Sequence, residues 1–385
     1  MPDPRGSSNA TLHNFHDILL ISLCGTLCGA ETYVDMEEFG IAKLDWFREQ
    51  MGIELAHGIP SHDTFARVFS QLDTAAFSAC FQRWTQSIQE HTQGRVVALD
   101  GKKVRRSFDK ASGKAALHTV SAWCCHNHLV LGQLAVDAKS NEMKAVPALL
   151  KLLDISDCIV TVDALNCQKD IAAQVLRQGG DYLFALKNNH AHLYEDVTSQ
   201  FEWFLKRQAK GAPWQTLFES MADSRNYGHG RQEIRRCWCL DASAEEWGLA
   251  REQWPGLASL IMVESERSTS VQTPSGDKVW SEPTHERRYY LSSLSPNSKG
   301  TLAQIALDAV RSHWGIENNL HWVLDVAFNE DNCRIRKDNA PINMAMLRHL
   351  TLNLLRINNT HKRGIKSKRL RAGWDDDYRM TLLTG

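Results

Sequence analysis

Three carboxylates in this chain stand where they could hold divalent metal ions. Asp100 follows the apolar residues 96–99, Asp163 follows the mostly apolar residues 158–162, and Glu317 lies on a predicted helix. Mg²⁺ prefers hard oxygen ligands, commonly one or two carboxylates together with water and substrate phosphate. Two such ions about 3.5–4 Å apart activate a water and stabilise the leaving oxygen of a phosphodiester. The pattern therefore predicts phosphodiester chemistry, with Asp100 bridging two ions and Asp163 and Glu317 each holding one.

These carboxylates also have plainer interpretations. A single aspartate at a strand end is usually structural, so the prediction depends on Asp100 and Asp163 occurring together. Glu317 has acidic neighbours that could take its place, namely Asp325, Glu330 and Asp331. We expect Glu317 to be the ligand. Asp325, eight residues further along, would lie nearby if the helix continues.

Basic residues lie close to the first aspartate and recur on later elements. Protein contacts to DNA phosphates come largely from arginine and lysine, so these residues are predicted to meet the DNA backbone. A solvated charged face is the alternative interpretation. The predicted contacts are Lys102, Lys103, Arg105, Arg106, Lys187, Arg231 and Arg235.

The composition excludes several classes of protein. The 385 residues are 43% hydrophobic and 23% charged, which is typical of a globular chain of two or three domains. A net charge of −1 means that any affinity for nucleic acid comes from local patches. Ten cysteines form no paired CxxC spacing, so a zinc site has weak support. The polar N-terminus and the short apolar runs predict a cytoplasmic protein with reduced thiols and no membrane span.

Periodicity predicts a helical region followed by an α/β region. The helices of residues 1–92, one of them predicted over residues 74–89, fit a helix-turn-helix-like DNA-binding module or a plain helical packing domain. From Arg95 to Leu186 the predicted order is β, β, β, α, β, α, β, which indicates a partly parallel sheet with helices on its faces. The last two strands are predicted at residues 159–162 and 181–186. Ligands of such sheets bind at the carboxyl ends of the strands, where Asp100 and Asp163 are predicted to lie.

The remaining pattern divides the chain further. The C-terminal region carries six basic residues within ten positions and is predicted to be a DNA-binding tail or a solvated, disordered one. The predicted domains are a helical domain (1–92), a catalytic domain in two parts (93–190 and 287–356), a β-rich insertion (191–286) and a basic tail (357–385).

Short motifs along almost the whole chain resemble one family. The chain is similar to the DDE transposases of bacterial insertion sequences, and more narrowly to the H-repeat-associated transposases. Each motif is weak alone, but their number and order make the match specific. The segments are residues 3–5, 58–64, 98–102, 139–142, 163–164, 168–172, 180–187, 228–231 and 313–317.

The resemblance implies a fold and an activity. The fold is an RNase H-like mixed α/β sheet flanked by helices, with a β-rich insertion between Asp163 and Glu317, which lie 154 positions apart (317 − 163 = 154). The implied activity is metal-dependent cleavage at transposon ends and transfer of the 3′-hydroxyl into target DNA. Asp100, Asp163 and Glu317 would be catalytic and would bind two Mg²⁺ ions, with Mn²⁺ as a substitute and no small-molecule cofactor. The implied partners are transposon-end DNA and target DNA, bound by a homodimer or a larger assembly in the bacterial cytoplasm, at the nucleoid.

The chain departs from the wider group around Glu317. The positions of an expected Tyr, Arg and Lys hold Val310, His313 and Leu324. Arg311, His313 and His321 are therefore predicted as replacement phosphate contacts. The departures leave open a catalytically inactive, transposon-derived DNA-binding protein. A glycosidase with paired carboxylates is the third hypothesis, and the basic residues beside Asp100 disfavour it.

Overall fold

The structure is a computed structural model of the chain. It describes residues 1–6, 11–88, 95–108, 113, 115–136, 142–228, 230–242, 247–272, 277–296 and 302–384. The chain forms two compact units: a first unit of residues 1–90, 101–145 and 316–385, and a second unit of residues 91–100 and 146–315. The predicted domain boundary at residues 92 and 93 lies outside the described residues, and the predicted domain limits stay predictions.

The N-terminal part of the first unit is helical, as predicted. Thr32 caps one helix by accepting from the backbone N–H of Asp35, whose carboxylate accepts from the Thr32 backbone in return. Phe65 and Phe69, four residues apart, are fully buried and give a later helix its apolar face. The helices are α1 (Phe15–Leu27), α2 (Tyr33–Ala42), α3 (Leu44–Glu49), α4 (His62–Gln71) and α5 (Thr74–Ile88).

The next elements carry the chain between the two units. Strand β1 (Val96–Lys103) begins in the second unit and ends in the first. Strands β2 (His118–Cys124) and β3 (Leu129–Ala135) form an antiparallel hairpin in the first unit. Helix α6 (Glu142–Leu150) then leads back to the second unit.

The second unit is built on a mixed sheet. Strand β1 pairs in parallel with β4, and β4 pairs in parallel with β5. Beyond β5 the order β10, β8, β7, β6 is antiparallel throughout, and β9 pairs with β8. The elements are β4 (Ile159–Val162), α7 (Lys169–Arg177), β5 (Asp181–Leu186), α8 (Ala191–Ala209), β6 (Ser220–Gly228), β7 (Arg231–Asp241), α9 (Gly248–Gln253), β8 (Ser259–Gln272), β9 (Lys278–Trp280), β10 (Thr284–Ser292) and α10 (Leu302–Gly315).

One long helix of this unit differs from the prediction. The 19 residues of α8 lie at the start of the segment 191–286, which was predicted to be β-rich. The helix buries Val197 and Phe201 on successive turns, and the Phe201 ring lies 5.8 Å from that of Tyr289 on β10. Leu193, Val197, Phe201 and Phe204 recur at helical spacing, so the sequence did carry a helical signal here, which the β-rich interpretation overlooked.

The C-terminal part of the first unit is helical to residue 384. A π-helical turn (Ile316–His321) is followed by α11 (Trp322–Phe328), α12 (Ala340–Ile357), α13 (Ile365–Trp374) and α14 (Asp376–Thr384). Helix α12 packs against α1, α4 and α5. This buried helix therefore forms the centre of the first unit.

The basic C-terminal region is not a solvated tail. Lys368 is buried and donates to the carbonyls of Leu355 and Asn358, both at 2.7 Å. Arg369 is buried and donates to the carbonyl of Thr26 at 2.8 Å. These cations fasten α13 to α12 and α1, so the expectation of a disordered tail was wrong for residues 365–384.

The predicted mixed α/β sheet flanked by helices is confirmed. Strands β4 and β5 have the predicted limits, residues 159–162 and 181–186. Among the described residues, no helix is both long enough and apolar enough to span a lipid bilayer.

Candidate active site

Asp100 and Asp163 occupy equivalent positions on neighbouring parallel strands. Leu99 on β1 is paired with Val162 on β4, and each aspartate is the next residue in the chain, Asp100 within β1 and Asp163 directly after β4. Leu99 and Val162 form the last pair of this parallel ladder, and both side chains are buried in the core. Neighbouring strands lie about 4.8 Å apart, so both half-buried carboxylates emerge at the same edge of the sheet.

The prediction that Asp100 ends its strand was wrong in one respect. Strand β1 runs on to Lys103, three residues beyond the aspartate. The parallel ladder with β4 stops at Leu99, so Asp100 marks the point where β1 leaves β4. Sequence alone showed the end of the apolar run, which is the end of the ladder and not of the strand.

The Asp163 carboxylate is oriented by the loop that follows it. Asn166 donates to Asp163 Oδ1 from its backbone N at 3.0 Å and from Nδ2 at 3.1 Å. Burial, with a smaller contribution from the Asp163 charge, raises the pKa of the Cys167 thiol to about 12. Cys167 is therefore a protonated thiol at neutral pH and adds no charge to this loop.

His313 lies on the same side of the second unit as Asp163. Its Nδ1 is 2.9 Å from the hydroxyl oxygen of Thr161, a residue of β4. Burial lowers the pKa of His313 to about 4, although the nearby Asp163 charge raises it. The imidazole is neutral at pH 7, so it can offer a phosphate a hydrogen bond but no positive charge.

Glu317 belongs to the first unit and is exposed. It lies in the π-helical turn, between Ile316 and Leu320, which are both fully buried. The helix predicted to carry Glu317 is confirmed, but its wider π-helical geometry was not predicted. A π turn of this kind is rare in helices and is frequent at functional sites.

The three acidic neighbours of Glu317 are paired with cations. Asp325 and Glu330 both contact the Lys102 ammonium, and the Glu330 contact is 3.2 Å. Asp331 pairs with Arg105 at 3.2 Å. These partners neutralise the three alternatives to Glu317.

Lys102 is the centre of a buried group of charges, which we name the Lys102 cluster (Lys102, Asp325, Glu330 and Arg348). The side chains of Glu330 and Arg348 are 2% and 3% exposed, and their contact is 3.4 Å. Burial raises the pKa of Glu330, but Lys102 and Arg348 outweigh it and hold the pKa below its ordinary value. The cluster joins residues more than 200 positions apart in sequence, so no local pattern could have revealed it.

Gly101 is required by the side chains packed against it. A Cβ at this position would lie 1.9 Å from Glu142 Oε1 and 2.8 Å from His118 Nε2. Those two atoms are themselves 2.6 Å apart. The glycine after Asp100 therefore makes room for a histidine–glutamate pair beneath β1.

The predicted phosphate contacts differ in solvent exposure and in whether their side chains already have partners within the protein. Lys102 is engaged in its cluster, and Arg235 is half-buried and pairs with Glu233 at 2.6 Å. Arg311 is exposed and donates to Asn226 Oδ1 at 3.0 Å. The His321 carbonyl accepts from Lys102 at 3.2 Å. The other exposed predicted contacts are Lys103, Arg105 and Arg106 in the first unit and Lys187 and Arg231 in the second.

A separate group of ligating side chains lies on β8 and β10. Ligand atoms of Glu264, Glu266 and His285 all lie within 4.8 Å of one another. Arg287 pairs with Glu264 at 2.6 Å, and Arg236 pairs with Glu266 at 2.5 Å. The carboxylates are thus already balanced by guanidinium groups, and the arrangement is an ion-pair network of the sheet surface.

Comparison with known proteins gives consistent matches along the chain. Residues 91–354 match the family described as "Transposase DDE domain", and residues 1–85 match the family described as "DDE_Tnp_1-associated". The "H repeat-associated putative transposase YhhI" of Escherichia coli K12 is 38% identical over 376 residues, which cover 97% of this chain and 93% of that protein. The resemblance drawn from the sequence motifs is confirmed.

Two further matches are more limited. The "Inactive transposase YbfQ" of Escherichia coli K12 is 45% identical over 60 residues, covering 16% of this chain and 69% of that protein. Among solved structures, the piggyBac transposase in its synaptic complex with hairpin DNA is 12% identical with a TM-score of 0.45, covering 98% of this chain and 75% of that one.

Proposed function

The chain belongs to the transposase DDE family, and we propose that it cleaves DNA at transposon ends and transfers the freed 3′-hydroxyl into target DNA. The observation that carries the proposal is the placement of Asp100 and Asp163 at equivalent positions of two neighbouring parallel strands. Glu317 is the proposed third carboxylate. It comes from the first unit, and its assignment rests on the motif 313–317.

The donor set fits a divalent cation. The two aspartates offer hard carboxylate oxygens from one sheet edge, which is the chemistry that Mg²⁺ prefers. The neighbouring imidazole of His313 is neutral, so it does not compensate the Asp163 charge. When bound, a divalent ion supplies Lewis-acid polarisation of the phosphodiester. We propose Mg²⁺ as that ion, two per site, with Mn²⁺ as a substitute.

The surrounding residues would orient the reacting groups. Asn166 holds one oxygen of Asp163 with two hydrogen bonds, so the other oxygen keeps a defined direction. The Thr161–His313 contact ties the end of α10 to β4 beside that carboxylate. Fixed ligands of this kind lower the barrier by positioning, because no reorganisation is needed during the reaction.

Exposed cations would hold the nucleic acid. Lys187, Arg231 and Arg311 in the second unit, and Lys103 and Arg106 in the first, are the proposed phosphate contacts. Each such contact releases counterions on binding, so affinity should fall steeply as salt rises. The proposed partners are transposon-end DNA and target DNA, bound by a homodimer or larger assembly in the bacterial cytoplasm.

The test compares wild type with Asp163→Asn and with Asp196→Asn, an exposed aspartate of α8. Each protein is incubated with supercoiled plasmid carrying the terminal repeats, in Mg²⁺, Mn²⁺ or EDTA. We expect wild type and Asp196→Asn to cleave in either metal but not in EDTA, and Asp163→Asn to bind end DNA without cutting it.

Two outcomes would contradict the proposal. End-specific binding by wild type without cleavage in any metal would support the inactive DNA-binding alternative, to which the departures at Val310, His313 and Leu324 already point. Full cleavage by Asp163→Asn would remove that aspartate from the catalytic set.

A further inference from the structure

The π-helical turn that carries Glu317 is held by two cationic side chains from other elements. We propose that Lys102 and Arg356 are positioning residues that keep residues 316–321 in the π-helical register and thereby set the direction of Glu317. This inference rests on the proposed catalytic role of Glu317. It concerns the first unit alone, because both cations and the turn belong to it.

Both cations donate to backbone carbonyls of the turn. Lys102 Nζ lies 3.2 Å from the carbonyl oxygen of His321, and Arg356 Nη2 donates to the carbonyl of Asn319. Lys102 arrives from β1, and Arg356 arrives from α12. Side chains from two separate elements therefore hydrogen-bond the turn near its C-terminal end.

Each cation is itself fixed in place. The Arg356 guanidinium lies 4.7 Å from the ring centre of Trp123, a fully buried residue of β2. The Lys102 side chain is 9% exposed and also contacts Asp325 and Glu330. An ammonium group has three donors, and these two carboxylates and the His321 carbonyl use all three. Lys102 thus has no donor left for a DNA phosphate.

The register of the turn decides where Glu317 points. In the π-helical form, Ile316 and Leu320 face the interior, while Glu317 and Asn318 are exposed. A π turn contains one more residue than the α-helical turn it replaces, and one residue corresponds to about 100° of rotation. Relaxation to the α-helical register would turn Glu317 by that angle relative to α11. The bonds from Lys102 and Arg356 oppose this relaxation because they fix two carbonyls of the wider turn.

The first measurement is hydrogen exchange by mass spectrometry. The variants are Lys102→Met, which keeps the apolar stem, Lys102→Arg, which keeps the charge, and Arg356→Met. Lys103→Met, on the exposed neighbouring position of β1, is the matched control for hydrogen exchange alone, because Lys103 is itself a proposed phosphate contact. We expect Lys102→Met and Arg356→Met to speed exchange in peptides covering residues 316–328 by about tenfold, because each loses a charge-assisted hydrogen bond. Exchange in α4 and in the control variant should stay at the wild-type rate.

The second measurement separates positioning from DNA binding. We expect Lys102→Met to lose strand cleavage in single-turnover assays while keeping the wild-type Kd for end DNA, and Lys102→Arg to recover part of the rate. The exchange result does not require an active enzyme, so it decides the inference even if the proposed function fails.

Three outcomes would overturn the inference. Unchanged exchange in residues 316–328 would show that the cations do not hold the turn. Faster exchange along the whole first unit would show a general stabilising role only. A weakened Kd with unchanged exchange would make Lys102 a phosphate contact. If Lys102→Met does not fold, Arg356→Met carries the test, since its contacts are with the turn and Trp123.

Discussion

Substituting Glu330 by glutamine tests the energetics of the Lys102 cluster. The Glu330 carboxylate is 2% exposed and lies 3.2 Å from Lys102 Nζ and 3.4 Å from Arg348 Nη1. Glutamine keeps the side-chain volume but removes the charge, which leaves the buried Arg348 without this carboxylate and Lys102 with Asp325 as its remaining one. Removing one partner from a buried ion pair costs about 3–5 kcal/mol, because the remaining charge is neither solvated nor paired. We expect Glu330→Gln to lower the free energy of unfolding by that amount.

The neighbouring residue provides a matched control. Asp331 lies in the same short turn, but its partner Arg105 has a side chain that is 80% exposed. An exposed ion pair contributes about 0–1 kcal/mol, so Asp331→Asn should change stability little. Equilibrium urea unfolding followed by circular dichroism measures both values. Equal costs below about 1 kcal/mol for the two substitutions would refute the reasoning that burial makes this cluster costly to break.

The same comparison has a defined dependence on pH. Although burial raises the pKa of Glu330, its two cationic partners bring the pKa below the ordinary value of 4.5. A lowered folded-state pKa means that the stabilisation is complete above the unfolded-state value and is lost as pH falls through the folded-state value. The stability difference between wild type and Glu330→Gln should therefore persist at neutral pH and shrink well below pH 4.5.

Three further predictions concern single residues. Burial lowers the pKa of His349 from 6.5 to about 4, so the unfolded chain takes up a proton at a higher pH than the folded protein does. Between those pH values the free energy of unfolding, measured by urea unfolding, should therefore fall by about 3 kcal/mol less in His349→Gln than in wild type. Gly101→Ala would place a Cβ 1.9 Å from a carboxylate oxygen, and we expect a loss of about 1–3 kcal/mol in urea unfolding, whereas Gly228→Ala, with nothing within 4 Å, should be close to neutral. Asn166→Ala removes the 3.1 Å bond to Asp163 Oδ1, so the single-turnover cleavage rate should fall while the Kd for end DNA stays unchanged; an unchanged rate would show that Asn166 does not orient the carboxylate.

Elements with strong local signals could be predicted from sequence. The buried strands β4 and β5 are continuous apolar runs between polar turns, and their limits were predicted to the residue. Helix α5 has Phe77 and Phe81 four residues apart, and its predicted position is confirmed. Helix α8 was missed although Leu193, Val197 and Phe201 recur at helical spacing. The C-terminal helices were missed because their buried cations look like a solvated charge run.

The sequence by itself determined the family, the mixed α/β class and the placement of Asp100 and Asp163 after two apolar runs, because these follow from local order along the chain. Tertiary structure alone decided three further features. The donors of Lys102 are used within the Lys102 cluster, the His313 imidazole is neutral and packs beside Thr161 of β4, and Glu317 lies in a π-helical turn. Each of these depends on partners far away in sequence. The burial of a residue and its ion-pair partners depend on the segments that pack against it in the folded chain. They cannot be deduced from the residue type alone.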